Sequence, residues 1–421
     1  MTVIPRSKKK VFKNGLKILT ENIPIVRSVA MGILVGTGSG NETQEENGIS
    51  HFIEHMTFKG TPKRSAYEIA HTLDAVGGKM NAYTTKEYTV YYAVVLDKHL
   101  EIAIDVLCDI LLNSVFNPKE MEREKRVILE EIKMYEDTPD ELVHDFFAEK
   151  ILHGHPIGKP TIGLEETVKS IKRDDILSYR KKWYSPQNTI VSLAGDISFE
   201  EVIEKLKPYL ASWQGERTVP PPLLPQIKGS LSLKNKKTEQ LHLCLGVKGV
   251  SQTDEERYPY AVLDNVLGGS MSSRLFQEIR EKRGLAYSIF STSAPFRNFG
   301  ISYVYAGTSK ENMKQVVDLI LEQFTKIKKE GVKPEELERA REYLKGTLVL
   351  GMESTSSRMN WLAKSQFYYN RVMTIDEIFE KVDKVTQDDI IKLANQFFRD
   401  EYLTLAVIGD LEELPIKEIH C

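Results

Sequence analysis

Apolar positions along the chain recur in two patterns. Residues 30–36 and 88–95 carry the alternation of strands in a sheet with one covered face, whereas residues 100–111 and 174–183 repeat their apolar side chains at helical spacing. Residues 11–20 read as a strand and turn. This order of segments predicts an α+β fold: two similar domains, each a mostly antiparallel sheet with helices packed on one face. Near the midpoint, Trp213-Gln214-Gly215 is followed by Pro220-Pro221-Pro222-Leu223-Leu224-Pro225. Successive prolines cannot continue a helix or a central strand, so a stiff connector is expected there. The expected domains are residues 1–215 and 230–421, with a linker at 216–229.

A midpoint boundary prompts a search for a repeat, and one is present. Ser170-Ile171-Lys172-Arg173-Asp174-Asp175-Ile176 matches Lys384-Val385-Thr386-Gln387-Asp388-Asp389-Ile390, an offset of 214 (384 minus 170). Each begins a helix ending in aromatics, Trp183-Tyr184 and Phe397-Phe398. Apolar strands closing on Gly-Asp follow both, at residues 190–196 and 405–410.

Residues 119–136 form a strongly helical run rich in carboxylates, most of them a solvated face. Glu124 and Glu131 are seven apart, and with Met121, Val127 and Ile128 they fall on one stripe. A carboxylate on an apolar stripe is costly unless a cation or metal pairs with it. The repeat contains a second copy of this helix, Pro334-Glu335-Glu336-Leu337-Glu338-Arg339 matching Pro118-Lys119-Glu120-Met121-Glu122-Arg123. There Glu124 and Glu131 become Ala340 and Thr347, while Val127 and Ile128 become Tyr343 and Leu344. The stripe stays apolar and the carboxylates vanish.

The partner for those carboxylates is His51-Phe52-Ile53-Glu54-His55. Side chains four apart on a helix are neighbours, so the two imidazoles can converge on one zinc ion, and Glu54 can reach a metal-bound water whose pKa zinc lowers to about 7. The order H-x-x-E-H inverts the commoner H-E-x-x-H and is a peptidase signature. The alternative is a surface helix that happens to hold two histidines. A catalytic zinc site usually has three protein ligands, so a third must come from elsewhere, and Glu124 and Glu131 are the candidates. The corresponding region of the second half, near residues 267–271, has no histidine. One half holds every part of the site and the other holds none, as expected of a duplicated domain with one active copy.

Composition narrows the field. At 421 residues two domains can each bury a core. A net charge of −3 and a pI near 6.4 give no reason to expect nucleic acid or an anionic membrane as partner. Cys108, Cys244 and Cys421 are too few and scattered for a disulfide framework or a thiolate metal site, which suits a reducing compartment. Residues 1–10 are basic, but no apolar stretch follows them and none elsewhere is long enough to span a membrane. A cytoplasmic location is expected. His153-Gly154-His155-Pro156 reads as a structural turn rather than a metal site, and His420-Cys421 as a disordered tail.

These motifs together resemble the M16, or pitrilysin-like, zinc metallopeptidases, in the short two-domain form that includes bacterial processing proteases and mitochondrial processing peptidase subunits. The resemblance spans nearly the whole chain. It implies one zinc per chain held by His51, His55 and Glu131, with Glu54 as general base and Glu124 orienting a ligand from the outer shell. Gly77-Gly78-Lys79-Met80-Asn81-Ala82-Tyr83-Thr84 is similar to the family strand that pairs with the substrate backbone, implicating Asn81 and Ala82; by itself it is an edge strand after a glycine turn. Arg280-Glu281-Lys282-Arg283-Gly284-Leu285-Ala286-Tyr287 matches the family's Arg-x6-Tyr element, in which Arg280 and Tyr287 would stabilise the oxyanion. Gly268-Gly269-Ser270 just before it lacks the spacing and lysine of a phosphate loop and reads as a helix-breaking turn. The resemblance further implies a closed chamber and a homodimer, in which the zinc of one protomer meets Arg280 and Tyr287 of the other. The expected activity is endoproteolysis of short or unfolded peptides. A non-catalytic peptide-binding or scaffolding subunit, and a zinc hydrolase of other chemistry, are the alternatives.

Overall fold

The computed structural model describes residues 7–215 and 223–421. The N-terminal residues up to Arg6 and the prolines at 220–222 lie outside the described residues. In chain order the elements of the first part are β1 (Ser7–Val11), β2 (Lys17–Asn22), β3 (Ser28–Val35), α1 (Ile49–Thr57), α2 (Ala66–Asp74), β4 (Lys79–Thr84), β5 (Thr89–Leu96), α3 (Leu100–Asn113), α4 (Pro118–Glu136), α5 (Pro139–Ile151), α6 (Glu165–Ser170), α7 (Arg173–Trp183), β6 (Thr189–Gly195) and α8 (Phe199–Leu210). There follow β7 (Ser230–Asn235), β8 (Leu241–Gly249), α9 (Arg257–Leu267), β9 (Ala286–Pro295), β10 (Gly300–Thr308), α10 (Met313–Glu330), α11 (Pro334–Gly351), α12 (Thr355–Tyr369), α13 (Ile375–Asp383), α14 (Gln387–Phe397) and β11 (Thr404–Gly409).

Two sheets carry the fold, in the orders β1-β2-β6-β3-β5-β4 and β7-β11-β8-β10-β9. From β2 onward the first follows the same path as the second. In each, the leading pair is parallel (β2 with β6, β7 with β11) and every later pair is antiparallel. The duplication read from sequence is thus a duplication of topology, with β1 added at one edge of the first sheet. Fold class and architecture are as expected.

Contacts divide the described chain into two compact units that are not consecutive in sequence. The first contains residues 7–133, 159–215 and 351–373, and the second 134–158, 223–350 and 374–421. A single cut at the proline run therefore differs from this division in two segments: α5 belongs with the second sheet, and α12 with the first.

Most helices of each unit lie on one sheet face. In the first unit Val29, Met31, Ile33 and Val35 of β3 share a core with Phe52 and Met56 of α1, Leu107 of α3 and Trp183 of α7. The opposite face carries one helix. Ala30, Leu34, Leu19, Ile190 and Ala194 meet Met359, Leu362 and Ala363 of α12, and a Cβ on Gly32 would lie 2.2 Å from Met359 Sδ. This explains why β3 is a nearly unbroken apolar run: a strand covered on both faces has no polar side to alternate with. Arg358 of α12 pairs with the buried Glu21 of β2. In the second unit α5 does the same work, with Val143, Phe147 and Ile151 against Cys244, Ala406 and Ile408.

Three expectations need correction. On α4 the buried residues are Met121, Glu124, Ile128 and Ile132, while Val127 is 51% exposed and off the stripe, because counted from Met121 the positions i+3, i+7 and i+11 face the core and i+6 does not. The helix after the matching strand of the second unit is α9, and residues 267–271 are only its end and a turn; no histidine lies in either. The C-terminus is docked, not disordered: Asp400 accepts hydrogen bonds from Cys421 N and pairs with His420 at 2.9 Å each, and Lys328 Nζ donates to Cys421 O at 2.7 Å. All three cysteines are free thiols.

Candidate metal centre

The helix bearing the motif is built from its N-terminus. Gly48 adopts φ +94°, and its bare Cα packs against Gly163, itself at φ +90°; a Cβ on Gly48 would lie 2.8 Å from Gly163 Cα. The buried Glu42 then supplies acceptors for the open first turn. Its carboxylate accepts from Gly48 N (2.8 Å), Ser50 N (2.9 Å) and Asn47 Nδ2 (3.3 Å). A carboxylate at a helix N-terminus also meets the positive end of the dipole. Burial outweighs these bonds and pushes the Glu42 pKa up to about 7.

Phe52, Ile53 and Met56 bury one side of α1 and leave His51, Glu54 and His55 on the other, partly exposed. The rings of His51 and His55 lie 4.5 Å apart at 63°. Glu131 of α4 reaches both, with Oε1 3.9 Å from His51 Nε2 and Oε2 3.7 Å from His55 Nε2. These three are the one group of metal-competent side chains found among the described residues. In tetrahedral coordination with bonds of about 2.0–2.1 Å, ligand atoms sit about 3.4 Å apart; the two carboxylate gaps exceed this by a few tenths of an ångström, and one ligand atom from each residue lies within 4.8 Å of the others. The chemistry of the donors fits zinc: two imidazoles and one carboxylate, with the His51 Nδ1 buried and unpartnered among the described residues. Burial, then the neighbouring His55, pushes the His51 pKa down to about 3, which favours the neutral ring a metal requires.

Glu124 bonds to this set through His55. Its Oε1 lies 2.9 Å from His55 Nδ1 and its Oε2 2.7 Å from Lys59 Nζ. A carboxylate at Nδ1 assigns the proton there and leaves Nε2 free to face Glu131. Burial alone would raise the Glu124 pKa, but the bonds to His55 and Lys59 outweigh it and the net shift is downward. Glu54 is shifted upward by burial, against the hydrogen bond donated by the Thr84 hydroxyl. Thr84 ends β4, so the strand that forms the open edge of the sheet also holds the motif carboxylate.

Residues 17–165 match the sequence pattern described as "Insulinase (Peptidase family M16)", and residues 170–344 the pattern described as "Peptidase M16 inactive domain". An uncharacterized zinc protease of Bacillus subtilis (strain 168) is 42% identical over 97% of this chain and 99% of its own length. The chain belongs to the M16 peptidase family. An uncharacterized zinc protease of Streptomyces coelicolor is 38% identical to this M16 chain, over 98% of it and 92% of the relative. Among solved structures, a protease from Helicobacter pylori superposes with a TM-score of 0.89 at 22% identity, covering 96% of this chain and 100% of that one. A peptidase M16 inactive domain from Pseudomonas fluorescens gives 0.90 at 18%, covering 98% and 100%. These two speak to the fold alone.

The other residues singled out in the M16 chain fall as follows. Asn81 is exposed and Ala82 buried on β4, an edge strand that among the described residues pairs only with β5. The Ala82 amide donates to Asn81 Oδ1 at 2.8 Å, so an incoming strand would compete with that side chain. Arg280 and Tyr287 belong to the second unit. Arg280 sits on the short helical turn Phe276–Glu281, its guanidinium 4.9 Å from the Phe276 ring centre and 5.3 Å from that of Tyr287, which is 77% exposed at the start of β9. His155 is buried with both ring nitrogens on backbone, Nε2 at Leu223 O (2.9 Å) and Nδ1 at Ile157 N (3.2 Å), a structural turn. No described helix is long and apolar enough to cross a membrane.

Sequence reasoning missed Glu42, Lys59 and Thr84. Lys59 is four residues past His55, which is the spacing of helical neighbours and the one local signal available. Glu42 and Thr84 act through chain segments brought together only by folding.

Proposed function

We propose that this M16 chain is a zinc-dependent endopeptidase acting on short or unfolded peptides. The observation that carries this reading is the convergence of His51 Nε2 and His55 Nε2 on the Glu131 carboxylate, with Glu54 on the same exposed face of α1. Zinc, held there by these three residues, one ion per chain, would supply Lewis acidity toward a peptide carbonyl and a water with pKa near 7. Glu54 takes a proton from the attacking water and returns it to the leaving amine, and Thr84 holds its carboxylate on the side facing β4. The open edge of β4, at Asn81 and Ala82, accepts an extended peptide as an added strand, which suits unfolded substrates and excludes folded ones. Arg280 and Tyr287 are assigned to the oxyanion by family resemblance, and a homodimer enclosing a chamber would supply them from the partner.

The test is zinc content and cleavage of a quenched peptide library by wild type and Glu54→Gln. Expected are one zinc in both and a loss of at least about 100-fold in turnover in the variant. Near-normal cleavage by Glu54→Gln would remove Glu54 as base. Zinc without cleavage in either protein would favour a peptide-binding subunit.

A further inference from the structure

The first unit holds a partly buried cation that nothing in the metal centre uses. Arg180 of α7 packs its guanidinium 4.9 Å from the ring centres of both Phe116 and Tyr184. Its Nη2 donates to Leu111 O, while Nη1 is buried with no hydrogen-bond partner among the described residues. Among the described residues no carboxylate pairs with it. A desolvated charge without a counter-ion is expensive, and an arginine left in that state presents a planar fork of donors matched to an oxyanion.

Arg180 lines a cavity of about 630 Å³ together with Lys181, Asn113, Leu112, Tyr184 and Trp213. No acidic side chain is among the lining residues. Two acids that contact lining residues, Asp105 through Tyr209 and Asp109 through Asn113, are already engaged by Lys63 and Arg64. The cavity therefore offers two cationic side chains, an amide and apolar or aromatic walls.

The duplication supplies an internal control. At the offset of 214, Arg180, Lys181 and Tyr184 correspond to Ala394, Asn395 and Phe398. Tyr91, whose hydroxyl lies 2.9 Å from that of Tyr184, stands opposite Ile33, as Val304 stands opposite Leu245 in the matching ladder. The second copy keeps the fold with Ala, Phe and Val at these places, so folding does not require the arginine or its hydroxyl neighbours.

We infer that this cavity is a binding site for a small organic anion, a carboxylate or phosphate ester with an apolar body, held by Arg180 at its base and Lys181 at its rim. The charged end meets the guanidinium, and the body lies along Tyr184, Trp213 and Leu112. The site is separate from the proposed zinc ligands, and its test does not depend on peptidase activity. Calorimetric titrations on the full chain would use phenyl phosphate, N-acetylphenylalanine and, as a neutral control, N-acetylphenylalanine amide, each up to 10 mM. Expected is saturable binding of one or both anions, whichever binds tighter naming the headgroup, with the amide at least tenfold weaker. Arg180→Met should weaken the anion by at least tenfold, Arg180→Lys by less, and Lys181→Met by a smaller factor still, with unchanged circular dichroism and zinc content showing the fold intact. If Arg180→Met misfolds, Arg180→Lys and Lys181→Met carry the comparison. No binding to wild type, equal binding of the amide, or unchanged affinity in the folded variants would overturn the site.

Discussion

Lys59 is one of 57 lysines and arginines and lies just past the end of α1, so its four-residue spacing from His55 is the one local signal that marks it. In the fold its ammonium is 2.7 Å from Glu124, the same carboxylate that holds His55 Nδ1. Removing one partner of a largely buried pair leaves the other charge uncompensated, and groups that orient metal ligands typically matter by about 10–100-fold in metal affinity. Lys59→Met is therefore expected to weaken zinc binding by about 10-fold, measured by competition with a chromophoric chelator, while Lys59→Arg retains most of it. Wild-type affinity in Lys59→Met would mean that Glu124 keeps His55 in place without it.

At the scale of the element, α1 depends on a loop residue. Glu42 satisfies the first turn, and burial pushes its pKa from 4.5 up to about 7. The folded state then binds this proton more tightly than the unfolded state. The resulting stabilisation is complete below pH 4.5 and is lost as pH rises through 7, amounting to as much as about 3 kcal/mol. Urea unfolding at pH 5 and pH 8 should show wild type losing stability across this interval and Glu42→Gln losing less. Equal pH dependence in the two proteins would show that Glu42 does not titrate there. The same logic of shared elements applies to α5 and α12, each covering the second face of a sheet whose other strands lie elsewhere in sequence.

For the whole molecule, the proposal of composite sites makes a direct prediction. Glu54→Gln and Arg280→Ala chains, each inactive alone, should regain about a quarter of wild-type cleavage when mixed and allowed to exchange, because random pairing of two chains leaves one intact site in half of the dimers, one of two per dimer. A mixture as inactive as its components would place Arg280 outside any shared site. The duplication frames this arrangement. Two sheets of one topology have diverged so that Glu124 and Glu131 face the histidines in one unit, while Ala340 and Thr347 stand at the matching places in the other.

The sequence alone determined the fold class and the repeat, and it marked His51, His55, Glu124 and Glu131 as candidate ligands, because each is written in local spacing: four residues between histidines, seven between the carboxylates, and 214 between copies. Tertiary structure decided the rest. Helix exchange was invisible because an apolar helix face does not name the sheet it will cover. Val127 lies off the stripe because six residues past Met121 turn a helical side chain well away from the line that three and seven define. Glu42, Lys59 and Thr84 acquire their roles only when separate segments meet, and the isolated charge of Arg180 exists only once the core has removed water from around it.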